Sequence, residues 1–282
     1  MERLTFTNTR SESIKLADER PYIVTKVEGT AAVNVDIQTQ KSPFQDGTTY
    51  IDSTLEPRSI YIELMVLADS EKEMAINRQR LARIFNPKLG EGVLMYELGE
   101  TRREIKAVSE LAPVFPHAGD FIDTMQPAML QLYCSNPLWY DDFETSNEIV
   151  SWIGGMTFPW VLPSRFAMKG LNKINIVNKG HVETPVKIEI KGPATNPKII
   201  NHSTGGYIKI NKGLMSGDVL TITTEFGNKR VEINEQNVFN WTDLNSTFWQ
   251  LQVGDNVIEY ISDDPVEPAI VKISYRNRYV GV

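Results

Sequence analysis

The sequence is poor in the residues that build reactive sites. Its 282 residues include one cysteine, Cys134, and three histidines, His117, His181 and His202. A single cysteine excludes an internal disulfide and favours folding in a reducing cytoplasm. The apolar run 129–134 around it predicts a buried, unreactive thiol. Because the histidines are far apart and none has the spacing of metal ligands, we predict no metal and no other cofactor.

Excess positive charge and long apolar runs are also missing. The formal net charge is −7, whereas a protein that wraps nucleic acid or lies on a membrane surface needs the opposite sign. No apolar run approaches the roughly 20 residues that span a bilayer, and the N-terminus lacks the apolar core of a signal peptide. We therefore expect a protein made in the cytoplasm that binds neither nucleic acid nor membranes.

Catalytic motifs are absent as well. The sequence contains no Gly-x-Gly-x-x-Gly, no P-loop and no Gly-x-Ser-x-Gly. The acidic pairs Asp141-Asp142 and Asp263-Asp264 could belong to a calcium loop or a glycosidase, but the EF-hand spacing is missing and adjacent aspartates commonly form solvated turns. We predict that the protein is not an enzyme.

The last third of the chain consists of short strands separated by turns. Apolar and polar residues alternate there with period two, so each strand has one buried and one wet face. The strands are expected at 186–190, 198–200, 207–210, 219–223, 230–233, 256–260 and 269–275. This pattern predicts a two-sheet β-sandwich. For its hairpin at 218–234 we expect a two-residue turn at Gly227-Asn228, which pairs Ile222 with Ile233.

The first half is predicted to be mostly β with one packed helix. The clearest strand, 59–68, places Ile60, Ile62, Leu64 and Val66 on one face, and its other face also carries apolar residues. A helix is expected over 71–85, capped by Ser70 and Glu73 and ended by Asn86-Pro87, with Met74, Arg78, Leu81, Ala82 and Phe85 on one side. Further strands are expected at 4–6, 22–27, 92–97, 103–108 and 128–133.

The helix carries the main concentration of positive charge. Arg78, Arg80 and Arg83 lie along it. They form an ordinary solvated face, a polar contact with an acidic neighbouring subunit or, least expected with this net charge, a contact with nucleic acid. Residues 141–170 interrupt the β pattern with glycines, prolines and the tryptophans Trp152 and Trp160. We place the domains at 1–142 and 143–282, with 143–170 as a connecting segment.

Several segments in order resemble the distal tail proteins of siphophages, the phages with long non-contractile tails. The resemblance covers essentially the whole chain. It runs through Asp46-Gly47, Leu55-Glu-Pro-Arg-Ser-Ile60, Phe85-Asn-Pro87, Ser135-Asn-Pro-Leu-Trp-Tyr140, Asn196-Pro-Lys-Ile-Ile200, Gly217-Asp218, Thr224-Glu-Phe-Gly227 and Phe248-Trp-Gln-Leu-Gln-Val-Gly254.

The resemblance implies an N-terminal β-domain that closes into a hexameric ring and a C-terminal galectin-like, jelly-roll type sandwich. Such a ring joins the tail tube protein to the tail-associated lysin, tail-tip and receptor-binding proteins, in the virion or in a prophage-encoded tail, without enzymatic activity. The His-x-Asn-x-Arg core of sugar-binding galectins is absent, because Ser203-Thr-Gly205 follows His202.

The excursion at 38–58 is the leading candidate for reaching a neighbouring subunit, because about twenty residues without a packed element are unusual in a compact domain. The predicted interface residues are Phe44, Asp46, Tyr50, Arg58, Arg78, Arg80 and Arg83. The alternative function is binding of bacterial surface glycans through the C-terminal sandwich, with Trp241 as the candidate contact because aromatic rings stack on sugars.

Overall fold

The computed structural model describes residues 2–116, 124–150, 152–153, 168–169, 172–264 and 268–282. The chain divides into two compact units, one formed by Met1–Asp142 with Tyr279–Val282 and the other by Phe143–Arg278. Within the described residues the protein is mostly β with a single α-helix, which confirms the predicted fold class. His117, Trp160 and the side chain of Trp152 lie outside the described part of the chain.

The described residues of the first unit form the helix and the strands β1 to β10. The helix α1 spans Glu71–Ile84 and is followed by a 3₁₀ turn at Pro87–Leu89. The strands are β1 Arg3–Thr7, β2 Ser13–Leu16, β3 Tyr22–Glu28, β4 Val35–Gln40, β5 Thr49–Leu55, β6 Arg58–Leu67, β7 Gly92–Leu98, β8 Thr101–Ser109, β9 Met125–Cys134 and β10 Trp139–Asp141.

Of the remaining strands, all but the last lie in the second unit, which also has a 3₁₀ turn at Phe239–Trp241, whereas the last, β23, pairs with β10 in the sheet of the first unit. The strands are β11 Thr145–Val150, β12 Trp152–Ile153, β13 Met168–Lys169, β14 Lys173–Asn178, β15 Val186–Lys191, β16 Lys198–Asn201, β17 Gly206–Lys209, β18 Val219–Thr223, β19 Arg230–Ile233, β20 Gln236–Asn237, β21 Gly254–Ile261, β22 Ile270–Tyr275 and β23 Arg278–Tyr279.

The large sheet of the first unit has the order β2-β1-β7-β8-β9-β6-β3, and β10 adds to it by pairing with β8 and β23. The alternation in β6 is as predicted, since Ile60, Ile62, Leu64 and Val66 are all buried in the core. On the opposite face of β6, Tyr61 is exposed and Met65 and Leu67 are half-buried. Burial of the apolar face accounts for the stability of this strand.

The helix begins as its sequence predicts. Ser70 Oγ accepts a hydrogen bond from Glu73 N at 3.3 Å. Glu73 Oε2 reaches back to Asp69 N at 2.8 Å, one residue earlier than the reciprocal partner in the usual capping box. The first bond satisfies a backbone donor that a helix start leaves without an intrahelical partner, and the second holds the residue that precedes the cap.

The buried side of α1 differs in part from the predicted one. Met74, Asn77, Leu81 and Ile84 face the core, whereas Ala82 is exposed. Asn77 is accommodated because its side chain donates to Leu67 O at 3.3 Å and its carbonyl accepts from Tyr22 Oη at 3.1 Å. A polar residue can therefore occupy a position that periodicity assigns to an apolar one. None of the described helices has the length and hydropathy needed to cross a membrane.

The second unit is a two-sheet β-sandwich, as predicted. One sheet has the order β11-β22-β15-β18-β19-β20 and the other β14-β21-β16-β17. Side chains from both sheets form a single core, with Ile188, Ile222 and Val271 from the first sheet and Ile199 and Ile258 from the second.

The predicted register of the β18–β19 hairpin is wrong by two residues. Ile222 pairs with Val231, and Leu220 pairs with Ile233. The turn is longer than expected because Thr224 leaves the hairpin and bonds β15, where its Oγ1 accepts from Val186 N at 2.9 Å. A shift of two residues keeps the same side chains on the buried face, because side chains alternate with period two.

Candidate assembly interface

The strands β4 and β5 form a hairpin, here called the arm, that is a sheet of its own. Each residue of both strands is exposed. An isolated two-stranded hairpin is at best marginally stable in water and normally needs a packed face. The arm therefore has the character of an element that is completed by another surface.

The two faces of the arm differ in polarity. Pairing places Val35 opposite Leu55 and Thr39 opposite Tyr50 on the face that also carries Ile37. The register shifts between Gln38 and Thr39, so β5 has one extra residue there, Ile51, which forms a β-bulge and is exposed. The other face pairs Asp36 with Thr54, Gln38 with Asp52 and Gln40 with Thr49. The arm thus exposes one apolar face and one polar, acidic face.

The tip of the arm presents one aromatic ring. Phe44 is fully exposed and has a φ of 63°, a conformation that is uncommon for residues other than glycine. Gln45 stabilises this turn, because its side chain accepts from Ser42 N at 3.0 Å and donates to Thr49 Oγ1 at 3.1 Å. Asp46 follows and is exposed. The predicted residues Phe44, Asp46 and Tyr50 therefore lie together on the exposed arm.

The arginines of α1 have different environments. Arg78 is half-buried, with its Cζ atom 4.5 Å from the centre of the Phe115 ring. Arg83 pairs with Glu12 at 3.1 Å. Arg80 is exposed and has no ion-pair partner within the described residues. Of the predicted cluster, Arg80 is thus the charge most available to another molecule.

Arg58 is the one predicted interface residue that the structure places in the interior. Its exposure is 2%. The guanidinium donates to the carbonyls of Gly29 at 2.8 Å, Thr30 at 2.6 Å and Pro137 at 3.0 Å, and also to that of Val280. The prediction that Arg58 contacts a neighbour is therefore corrected, because its donors are already used within its own chain.

Trp241 lies on the surface of the second unit, with 45% of its area exposed. Lys212 Nζ is 5.5 Å from the centre of its ring. A groove of about 690 Å³ lies on the polar face of the β15–β18–β19 sheet, between Lys187, Glu189 and Arg230, and Trp241 does not line it. The predicted glycan contact and this groove are separate features.

The groups considered for catalysis have structural partners. Asp141 pairs with Arg103 at 2.7 Å, with its side chain only 5% exposed. Burial raises the pKa of Cys134 to about 12, so its thiol stays protonated and unreactive. Among the described residues no group of three or more His, Cys, Asp or Glu side chains is arranged to hold a metal ion.

Glu259 forms a small charged cluster on β21. Its Oε2 atom lies 2.6 Å from His202 Nε2 and 3.3 Å from Lys173 Nζ, and Asn172 donates to Oε1 at 3.1 Å. Burial raises the pKa of Glu259, but the hydrogen bonds from His202 and Lys173 outweigh this effect and lower it below its usual value. The cluster therefore stabilises the ionised carboxylate.

This shift predicts a pH-dependent contribution to stability. A carboxylate with a lowered pKa in the folded state stabilises the fold above its unfolded pKa, and that contribution is lost as the pH falls through the folded pKa. We expect Glu259→Gln to be less stable than wild type near neutral pH, with the difference shrinking below about pH 4. Denaturant unfolding across this range measures it. A difference that is independent of pH would contradict the prediction.

Comparisons with known proteins match both units. The model of the phage tail protein RIFT-related domain matches residues 9–131, and that of the siphovirus-type tail component, C-terminal domain, matches residues 179–279. The chain belongs to the distal tail proteins of siphophages. The arm lies within the first matched range of this distal tail protein, and Trp241 lies within the second.

Solved structures share the fold of this distal tail protein. The SPP1 Dit (gp 19.1) protein, described as a paradigm of hub adsorption apparatus in Gram-positive infecting phages, aligns with a TM-score of 0.71 and 14% identity over 98% of each chain. A chain of the phage P2 baseplate in its activated conformation with Ca aligns with a TM-score of 0.53 and 11% identity over 100% of this chain and 99% of that chain. No curated protein matches the sequence.

Proposed function

We propose that this distal tail protein forms a hexameric ring at the tip of a long non-contractile tail and joins the tail tube to the host-adsorption apparatus. The observation that carries the proposal is the arm, which exposes Val35, Ile37, Tyr50, Ile51 and Leu55 in the single chain. Exposed apolar surface of this kind marks sites of contact with other proteins. A family of tail components supplies the setting for such a contact.

A ring requires a head-to-tail interface in which two different surfaces of each copy meet. The arm is one such surface, and the exposed side of α1 that carries Arg80 is the candidate for the other. The polar face of the arm carries Asp36 and Asp52, and its tip carries Asp46. Opposite charges of this kind fix register and accelerate association, whereas burial of the apolar face supplies most of the affinity.

Under this proposal the ring contacts the tail tube protein on one side and the tail-associated lysin, tail-tip and receptor-binding proteins on the other. The protein is made in the host cytoplasm and functions in the virion. Its role is structural, without catalysis or a cofactor. The charged pairs of the first unit, such as Arg103 with Asp141, then serve stability and not chemistry.

Native mass spectrometry combined with negative-stain imaging tests the ring directly. We expect a closed hexameric species, either alone or after addition of the tail tube protein. Stable interfaces usually bury more than about 1,000 Å², so such a ring should survive dilution and gel filtration. A strictly monomeric mass at the highest soluble concentration, with and without the tube protein, would count against the proposal.

Glycan binding is a second candidate function, and the exposed ring of Trp241 is the observation that favours it. An aromatic ring with a neighbouring lysine can stack on a sugar and orient its hydroxyl groups. We expect any binding to bacterial surface glycans on an array to be lost in Trp241→Ala. If binding persists in this variant, the glycan site does not include Trp241. If the wild type binds no glycan on the array, only the structural role remains.

A further inference from the structure

The two ends of the arm meet at one side chain. The chain leaves the large sheet of the first unit after β3, at Gly29, and returns to it at Arg58, the first residue of β6. The Arg58 guanidinium, at the start of the returning segment, donates to two carbonyls of the outgoing segment. It lies 2.8 Å from Gly29 O and 2.6 Å from Thr30 O. This cross-link closes the base of the arm.

The same guanidinium also binds two distant parts of the first unit. It donates to Pro137 O at 3.0 Å, in the loop before β10, and to Val280 O near the chain end. A guanidinium has five N–H donors in a fixed planar fork, so one Arg58 side chain can serve four carbonyls at once. The Arg58 side chain is buried, and the four bonds that it makes are part-buried.

Close packing holds the outgoing strand against this point. Trp139 Nε1 donates to Thr30 O at 3.0 Å. Gly29 has a φ of 87°, and a Cβ atom at this position would lie 2.1 Å from Ser59 O. A Cβ atom on Gly281 would lie 2.7 Å from Ala31 O. Residues 29–31 therefore have little freedom to move.

We propose that Arg58 is a positioning residue that fixes the direction of the arm, and that the Val280 carbonyl makes the end of the chain part of this anchor. The inference rests on the proposed function, since it treats the arm as the assembly element. An arm held in one direction loses little conformational entropy when it docks, which strengthens assembly without adding any contact.

Substitution by lysine separates the geometry of Arg58 from its charge. A lysine keeps the positive charge, but its single ammonium group cannot form the planar fork that reaches all four carbonyls. The matched control is Arg83→Lys, because Arg83 is exposed and its partner Glu12 can pair with either cation. A second variant ends the chain after Tyr279, which removes the Val280 acceptor together with the packing of Gly281 and Val282 and leaves Arg58 itself unchanged.

Spin labels at Phe44→Cys, on the arm tip, and Thr101→Cys, on β8, report the direction of the arm by pulsed electron resonance. Both positions are exposed, and the buried Cys134 thiol will not compete for the label. We expect a narrow distance distribution in the parent and in Arg83→Lys. We expect a broad one in Arg58→Lys and an intermediate one in the truncated chain.

Hydrogen exchange supplies the second readout at the base of the arm, where Glu56 N donates to Asn34 O at 2.9 Å. We expect this amide to exchange roughly tenfold faster or more in Arg58→Lys, the factor that loss of one charge-assisted hydrogen bond gives. If both Arg58→Lys and the truncated chain keep the wild-type width of the distance distribution and the wild-type exchange rate, the proposal that Arg58 anchors the arm is wrong. If Arg58→Lys does not fold, the truncated chain alone decides.

The proposal that Arg58 anchors the arm and the proposal that the protein forms a ring can be refuted separately. Both readouts are taken on the monomeric fraction that gel filtration separates. A rigid wild-type arm on a protein that never forms rings would contradict the proposed function and support the anchor. A wild-type arm that is already mobile would overturn the anchor, whether or not rings form.

Discussion

Ile37→Asp is expected to abolish ring formation and to leave both units folded. Ile37 lies in the apolar face of the arm with 60% of its area exposed, so the single chain gains little from its side chain. In the proposed ring it is buried. Loss of that burial costs about 1.5–3 kcal/mol, and enclosing an unpaired carboxylate costs several kcal/mol more. The same penalty falls on each interface of a closed ring, so the variant should be monomeric.

The control for this variant is its neighbour, Gln38→Asp. It adds the same charge at the next position, on the polar face, where Gln38 pairs with Asp52. Light scattering after gel filtration should give the ring mass for Gln38→Asp and the monomer mass for Ile37→Asp, with matching circular dichroism spectra. Rings of wild-type mass from Ile37→Asp would show that this face of the arm is not an interface.

The arm illustrates what sequence patterns convey and what they omit. Prolines and glycines around Ser42-Pro43 and Asp46-Gly47 predict an excursion from the domain, and the structure has one there. Alternation in residues 35–40 is normally taken as a sign of burial within the same chain. Here every residue of both strands is exposed, so no described part of the chain covers the apolar face and the alternation is no sign of burial.

Arg58 shows a different limit. Its four acceptors are backbone carbonyls at residues 29, 30, 137 and 280, and a carbonyl has no signature in the sequence. An arginine next to an excursion therefore resembles a surface charge. The packing of Tyr279–Val282 with the first unit is hidden in the same way, because it depends on contacts such as the Arg103 guanidinium over the Tyr279 ring at 3.8 Å.

The register of the β18–β19 hairpin is also hard to predict from sequence. Period-two alternation identifies β18 and β19 and the faces that they bury, and it allows any even shift between them. The choice between registers depends on Thr224, which is fully buried and bonds Val186 on a third strand. A tertiary contact thus decides a pairing that the turn sequence alone assigns to Gly227-Asn228.

Trp139→Ala is expected to cause the largest loss of stability. Trp139 is fully buried in the first unit, packs edge-on against Tyr96 with ring centres 6.0 Å apart, and donates from Nε1 to Thr30 O at 3.0 Å. Truncation of a buried tryptophan leaves a large cavity and typically costs about 3–5 kcal/mol. The substitution also removes one hydrogen-bond donor from the Thr30 carbonyl at the base of the arm, which lowers the free energy of unfolding further.

A second tryptophan supplies the control. Trp241→Ala removes the same side chain from an exposed position of the second unit, and we expect a change within about 0.5 kcal/mol. Urea unfolding followed by far-ultraviolet circular dichroism measures both losses without relying on tryptophan fluorescence. Hydrogen exchange in β7 and β15 then assigns each loss to a unit. Equal losses in the two variants would contradict the prediction, because Trp139 is buried and hydrogen-bonded whereas Trp241 is exposed.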